Sequence, residues 1–289
     1  MPTKIEKDSL TGTETTGHEW DGIKELNNPL PKWWLYVFYV TIAWSAVYML
    51  LYPSIPGITG YFGGILDTNQ REKLDLRMAE ADLYQADYRA ALEQASAEEI
   101  EGNPDLLQFA IAGGRAAFSD NCTPCHALGG AGQAGGYPVL ADDDWLWGGT
   151  LDAIQHTISY GVRHEPAQTR YSEMPAFGQL GILSREDVDA VTHYVLSLSG
   201  AEEGEATPEG EELYLSQCSA CHGENGEGMS ELGAPNLSDQ VWLYGGDYAS
   251  VNSQIWNPQH GVMPAFADRL DDNTIKMLAI YVHNLGGGQ

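Results

Sequence analysis

From Trp33 to Leu51 the chain reads WWLYVFYVTIAWSAVYMLL, 19 residues without a charge. At about 1.5 Å per helical residue this is enough to cross a hydrocarbon layer about 30 Å thick. The pattern predicts one membrane-spanning helix over 33–52, with Trp33, Trp34 and Tyr36 at one end and Tyr48 and Tyr52 at the other as interfacial aromatics. A buried core helix is the bland alternative. A cleaved signal peptide fits less well, because the leader would be acid-rich and the following YPSIPGITG has no small-residue cleavage pattern. Further on, Asp67 to Ala97 sets Leu74, Arg77, Met78, Ala81, Tyr84, Gln85 and Tyr88 three and four apart. Such a stripe predicts a helix that is either a docking surface or a partly solvated linker. A Glu-, Gly- and Pro-bearing boundary follows near 98–104. Helical patterns recur in SREDVDAVTHYVLSLSG from 184 and LDDNTIKMLAIYVHNLGGG from 270, with Ser184 and Asp271 as starts and Gly200 and Gly286 as stops.

Charge narrows the function. The 289 residues carry 14 Lys and Arg against 41 Asp and Glu, a formal net charge of -27. That excludes a phosphate-backbone binder, whose affinity comes from Lys and Arg, so no nucleic-acid partner is expected. An acidic surface attracts basic partners and also keeps a protein soluble in high salt, and both uses stay open. Lys4, Lys7, Lys24 and Lys32 precede the apolar run, and no Lys or Arg follows it until Arg71. The positive-inside rule therefore puts the N-terminus in the cytoplasm and the bulk of the chain in the periplasm.

The four cysteines fall only in CTPCH at 122–126 and CSACH at 218–222. In a C-x-x-C-H unit two thiols lie on one side of a helical turn, placed to add to the two vinyl groups of a haem, with the next histidine under the iron. Cys122, Cys125 and His126 form one candidate haem c site, and Cys218, Cys221 and His222 the other. A shared zinc site fits worse, because each cysteine pair carries its own histidine.

The repetition extends past the cysteines. PVLADDDWLWGG at 138–149 matches PNLSDQVWLYGG at 235–246, and SEMPAFG at 172–178 matches GVMPAFA at 261–267. The chain is a tandem duplication with extra residues in the first copy around Tyr160 to Arg170, where a loop is expected. A methionine held before proline is presented from a loop, because proline cannot continue a helix. A thioether is a sixth haem ligand suited to electron transfer, so Met174 and Met263 are the candidates; ligation within their own domain is the simple reading, and spacing does not exclude that they are exchanged between domains.

Other residues carry weaker readings. His18 lies before the anchor, and His156, His164, His193, His260 and His283 have no partner at the matching place of the other copy; they are expected as surface or packing residues, with His164 and His260 the alternative imidazole ligands. Trp145 and Trp242 are expected to line the pockets, with an indole N–H in reach of a propionate. Arg163 and Arg170 are candidate propionate partners or ordinary surface arginines.

The segments HEWDGIKELNNPLPKWW, LYPSIPG, FSDNCTPCHALGG, RYSEMPAFG, CSACHGENGEG and GVMPAFA together resemble the membrane-anchored dihaem subunit III (CcoP/FixP type) of cbb3-type cytochrome c oxidase. The resemblance implies a mainly α chain with one N-terminal transmembrane helix followed by two tandem class I cytochrome c domains. The expected division is a cytoplasmic segment 1–32, an anchor 33–52, a linker and docking helix 53–104, domain 1 at 105–200, an acidic hinge 201–208 and domain 2 at 209–289. It implies a single-pass protein of the bacterial inner membrane with two covalently bound haem c groups. Its partners would be a soluble cytochrome c donor, a monohaem cytochrome c subunit and the catalytic haem-copper subunit. Some members of the family have two membrane helices where this chain has one. The chain carries no acid, base or copper ligand set that reduces oxygen, so it is not expected to be an enzyme alone. A dihaem peroxidase needs an open coordination position, against which two MPAF loops argue. The competing reading is an anchored dihaem carrier or the cytochrome subunit of a periplasmic dehydrogenase.

Overall fold

The computed structural model describes residues 4–66, 68–202 and 204–287, and forms two compact units, 1–84 and 85–289. The parts of the expected segments that fall on 1–3, Asp67, Glu203 and 288–289 lie outside the described residues.

The first unit opens with a two-stranded antiparallel hairpin, β1 (Thr15–Trp20) and β2 (Ile23–Leu26). Asp21 and Gly22 make its turn, with φ of 49° and 86°. Two successive positive φ values match the right-handed twist of the flanking strands, and Asp-Gly is a preferred pair for them. Helix α1 (Lys32–Leu51) follows; Pro31 stands just before it, and none of its residues is buried within the chain. It is long and apolar enough to cross a membrane.

Helix α2 (Gln70–Gln94) buries only Leu92. Of the expected stripe, Leu74, Met78 and Tyr84 are exposed, while Tyr88 stacks on Phe109 with ring centroids 5.0 Å apart. A short helix α3 (Ala97–Glu101) starts on a capping box between Ser96 and Glu99. Here the side chains of cap and third residue satisfy each other's backbone N–H.

The helices that build the rest are α4 (Pro104–Asn121), α5 (Thr123–His126), α6 (Leu151–Tyr160), α7 (Arg185–Leu198), α8 (Pro208–Gln217), α9 (Ser219–His222), α10 (Tyr248–Trp256) and α11 (Asp272–His283). Ser184 and Asp271 cap α7 and α11 through their side chains, as their sequence positions predict.

Packing regroups the segments expected as 105–200 and 209–289. Helix α11 lies on α4 and α6, and α7 lies on α8 and α10. One core joins Phe118, Ile154 and Ile158 to Phe266, Ile275, Leu278 and Val282; the other joins Phe177, Val188, Val191 and Tyr194 to Tyr214, Val251 and Ile255. The second module is thus a contiguous stretch, from the Met174 loop through α7 and α8 to α10. It is inserted into a first module made of α3 to α6 plus the Met263 loop and α11.

The interface used is the same in both modules. Gly114 and Gly210 lie where the crossing helix comes closest: a methyl on Gly114 would strike the Met277 carbonyl, and one on Gly210 would sit 2.6 Å from the Ala190 carbonyl. One turn later Phe118 packs on Tyr281 and Tyr214 on Tyr194, each pair at 5.3 Å and tilted. Because both copies present one surface, side-chain pattern does not choose a partner. The short connection between α7 and α8 does, because brief links make antiparallel neighbours. The modules also touch reciprocally, with Trp147 against Gly233 and Tyr244 against Gly136.

Candidate haem sites

Each C-x-x-C-H unit forms one helical turn directly after a longer helix. Cys122 ends α4, and α5 carries Cys125 and His126; Cys218 ends α8, and α9 carries Cys221 and His222. Both turns stop abruptly at a left-handed backbone, Ala127 at φ 60° and Gly223 at φ 80°. The chain then folds back under the histidine through matched bonds. Gly132 N–H donates to the His126 carbonyl at 2.9 Å, and Gly228 N–H to that of His222 at 2.8 Å.

That return presents Pro138 and Pro235. His126 Nδ1 lies 3.2 Å from the Pro138 carbonyl and His222 Nδ1 lies 3.0 Å from that of Pro235. A carbonyl only accepts, so Nδ1 carries the proton and Nε2 is left with its lone pair, the form a metal needs. Burial lowers both imidazole pKa values below the ordinary value, against a smaller opposing effect of the same hydrogen bonds, and holds the rings neutral. The matched Pro-x-Leu segments were the sequence signal for these two carbonyls.

Burial also pushes the Cys122 and Cys218 thiols up to about 11, with Cys125 and Cys221 adding to the effect. Neither is a ready thiolate, the species a cysteine nucleophile would need.

The methionines enter from opposite copies. Met174 lines one cavity with Cys218, Cys221, His222 and Trp242, and packs on the core that holds Cys218. Met263 packs on the core that holds Cys122, Leu140 and Trp145. Both are half-buried; each is followed by an exposed proline and, three residues on, by a buried phenylalanine, Phe177 or Phe266, that anchors the loop. The structure therefore brings Met174 to His222 and sets Met263 in the module of His126. A haem c fits this donor set: two thiols on one turn, a neutral histidine with a free Nε2, a thioether from a loop and an apolar wall.

The weaker candidates divide. Trp145 and Trp242 sit in the two modules at matched places against Gly149 and Gly246. The Trp145 indole N–H is taken by the Gly287 carbonyl, which corrects its expected reach to a propionate. Arg170 donates to Thr157 Oγ1 at 2.9 Å and to the Ala153 carbonyl at 3.3 Å, so it braces α6. Arg163 donates to the carbonyls of Gly261 and Ser172. His164 Nδ1 accepts from Ala265 N–H at 3.5 Å, and the exposed His260 borders the cavity of Met174. His156 bonds the Gln168 carbonyl and His283 pairs with Glu101 at 3.0 Å.

Between the modules runs a cleft of about 620 Å³ lined by Trp145 and Trp242 together with Asp142, Asp144, Glu227 and Asp239. Partial burial, then the neighbouring Asp239, raises the Asp144 carboxyl above the ordinary carboxylate range, and burial raises Asp142. These carboxylates make the cleft acidic.

Comparison with known proteins matches three stretches of the chain. Residues 12–59 match the N-terminal domain of cytochrome oxidase-cbb3, FixP; residues 111–199 match cytochrome c; and residues 205–282 match cytochrome C oxidase, cbb3-type, subunit III. The chain is 52% identical to the cbb3-type cytochrome c oxidase subunit CcoP of Azospirillum sp. (strain B510), over 98% of each chain. It is 50% identical to the subunit FixP of Azorhizobium caulinodans, over 98% of this chain and 96% of the relative. It is 48% identical to FixP of Bradyrhizobium diazoefficiens over the whole of both. Two cytochrome c domains indicate c-type haem binding, and the apolar helix together with this kinship points to membrane anchoring. The chain belongs to the CcoP/FixP family, subunit III of the cbb3-type cytochrome c oxidases.

Proposed function

We propose that this chain is the dihaem electron-transfer subunit of a cbb3-type oxidase, carrying one haem c on Cys122 and Cys125 and a second on Cys218 and Cys221. His126 and His222 are the proximal ligands. The sixth ligands are exchanged: Met263 serves the haem of His126, and Met174 the haem of His222. The observation that carries this reading is the cavity in which Met174, from the first sequence repeat, faces Cys218, Cys221 and His222 from the second.

A six-coordinate His/Met haem supplies reversible one-electron transfer at a raised potential. The residues of this chain hold it. Pro138 and Pro235 carbonyls fix the imidazole tautomer, the methionine loops would offer their thioethers to the iron, and Phe177 and Phe266 keep those loops seated. The chain accepts electrons from a soluble cytochrome c and passes them, through a monohaem subunit, to the haem-copper subunit where oxygen is reduced. Catalysis belongs to that partner and not to this chain alone. Lys4, Lys7, Lys24 and Lys32 before α1 support a cytoplasmic N-terminus and periplasmic haem domains in a bacterial inner membrane.

The test is mild-detergent extraction of native membranes, followed by a native gel stained for haem and assayed for cytochrome c oxidation. The chain is expected in a large haem-staining complex whose oxidase activity disappears on deletion of its gene. If it migrates alone and oxygen reduction survives the deletion, it is an anchored electron carrier.

A further inference from the structure

Ser172 and Gly261 stand two residues before Met174 and Met263, so they hold the same place in the two ligand loops. One side chain joins them. Arg163 donates Nε–H to the Gly261 carbonyl at 2.7 Å and Nη1–H to the Ser172 carbonyl at 3.0 Å. A guanidinium is a flat, rigid fork of five donors that holds two carbonyls in a fixed mutual geometry, whereas the three donors of a lysine ammonium turn on a flexible stem and fix none.

The surroundings fit a built device. The preceding residue, Val162, exchanges backbone hydrogen bonds with Met263 itself, each 3.0 Å. Gly261 N–H donates to the Tyr244 hydroxyl at 2.9 Å, so the residue is held at both its N–H and its carbonyl. Arg163 holds this place with a left-handed backbone, φ 52°, a conformation that persists in a non-glycine residue only where the surroundings enforce it. Arg163 also borders the cavity of Met174 and His222.

We infer that Arg163 is a positioning residue shared by both axial methionines: one guanidinium sets the approach of Met174 and of Met263, so that loosening either loop loosens the other. The inference rests on the reading that these methionines are the sixth ligands, and goes beyond it by coupling the two sites. A propionate partner would instead serve one haem.

The test uses the full-length protein purified in its native complex, with Met–iron charge-transfer absorption and a spectroelectrochemical titration of both haems as readouts. Arg163→Gln is expected to weaken that absorption at both haems and to lower both potentials. Arg163→Lys, which keeps the charge without the fork, is expected not to restore both. Arg170→Gln, which touches neither ligand loop, is expected to leave both signals in place. A change at one haem only, no change, or an equal effect of Arg170→Gln overturns the inference. If Arg163→Gln does not accumulate with both haems attached, imidazole titration of the ferric wild type decides. Cooperative displacement of the two methionines supports the coupling, and two independent hyperbolic steps overturn it. Absence of Met–iron absorption in the wild type would instead refute the ligation reading itself.

Discussion

Val162 and Met263 exchange both backbone hydrogen bonds of an antiparallel bridge, each 3.0 Å, although they come from different repeats. Gly161 makes this approach feasible: its φ is 72°, and a methyl there would run into the Met263 carbonyl and the Pro264 backbone. The Met263 loop of the second repeat is thereby attached to the segment leaving α6, in the module of His126. The reciprocal loop, with Met174, packs in the module of His222.

Exchange makes a prediction that in-repeat ligation does not share. In a chain whose second attachment site is removed by Cys218→Ser and Cys221→Ser, Met263→Ala should abolish the remaining Met–iron absorption, whereas Met174→Ala should leave it. The potential of the affected haem should fall by on the order of a tenth of a volt or more, part of the roughly 0.8 V that axial ligands span. The opposite pattern would restore ligation within each repeat.

The helix crossing makes a second. Gly114 faces the Met277 backbone with no space for a methyl, so Gly114→Ala must push α11 off α4. Overpacking of this kind costs about 1–3 kcal/mol, which lowers the thermal midpoint of a unit this size by roughly 2–12 °C. The damage should appear as weakened Met–iron absorption at the first haem, because α11 follows Met263, with the second haem unaffected. Calorimetry and the visible spectrum of the same sample check both parts, and loss confined to the second haem would contradict the packing.

Much of this was legible before the fold. The haem turns, the methionine loops and the starts of α7 and α11 at Ser184 and Asp271 follow from local chemistry that needs no partner. The hairpin went unread: Asp21-Gly22 is a turn pair, but the buried positions of β1 are Thr15 and Gly17 and β2 buries nothing, so no apolar alternation marks the strands. The pairing of α4 with α11 was not legible, because Gly114 with Phe118 and Gly210 with Tyr214 offer one interface twice. Only the length of the α7–α8 connection discriminates. The partners of Arg163 are main-chain carbonyls, which leave no trace in a side-chain pattern.

Asp271 gives a pH-dependent prediction. Its carboxylate accepts from the Thr274 hydroxyl at 2.6 Å and from the Thr274 N–H at 3.0 Å, capping the helix that follows the Met263 loop. The Thr274 hydroxyl bond is the main cause of a folded-state pKa below the ordinary carboxylate value. A depressed folded pKa contributes stability above the unfolded value of about 3.9, and that contribution is lost as pH falls through the folded pKa. Asp271→Ala should therefore cost about 1 kcal/mol near neutral pH. The gap from the wild type should narrow below about pH 4. Denaturant titrations at the two pH values measure it, and an unchanged gap at low pH would sink the assignment.

The acidity of the chain bears on the donor. With a net charge of -27 and the cleft between the modules lined by Asp142, Asp144, Glu227 and Asp239, a basic cytochrome is drawn in by the field before it makes contact. Such attraction reaches about 30 Å at 0.01 M ionic strength and about 8 Å at 0.15 M. The second-order rate of electron transfer from a basic donor should therefore fall steeply across that range, while an acidic donor should be slow at low salt and speed up as repulsion is screened. Charge reversal of Asp142 and Asp239 to Lys should flatten the dependence more than the same change at two exposed carboxylates that do not line the cleft, Glu186 and Glu209. If the two pairs of substitutions act alike, net charge alone steers the donor and the cleft is not its landing place.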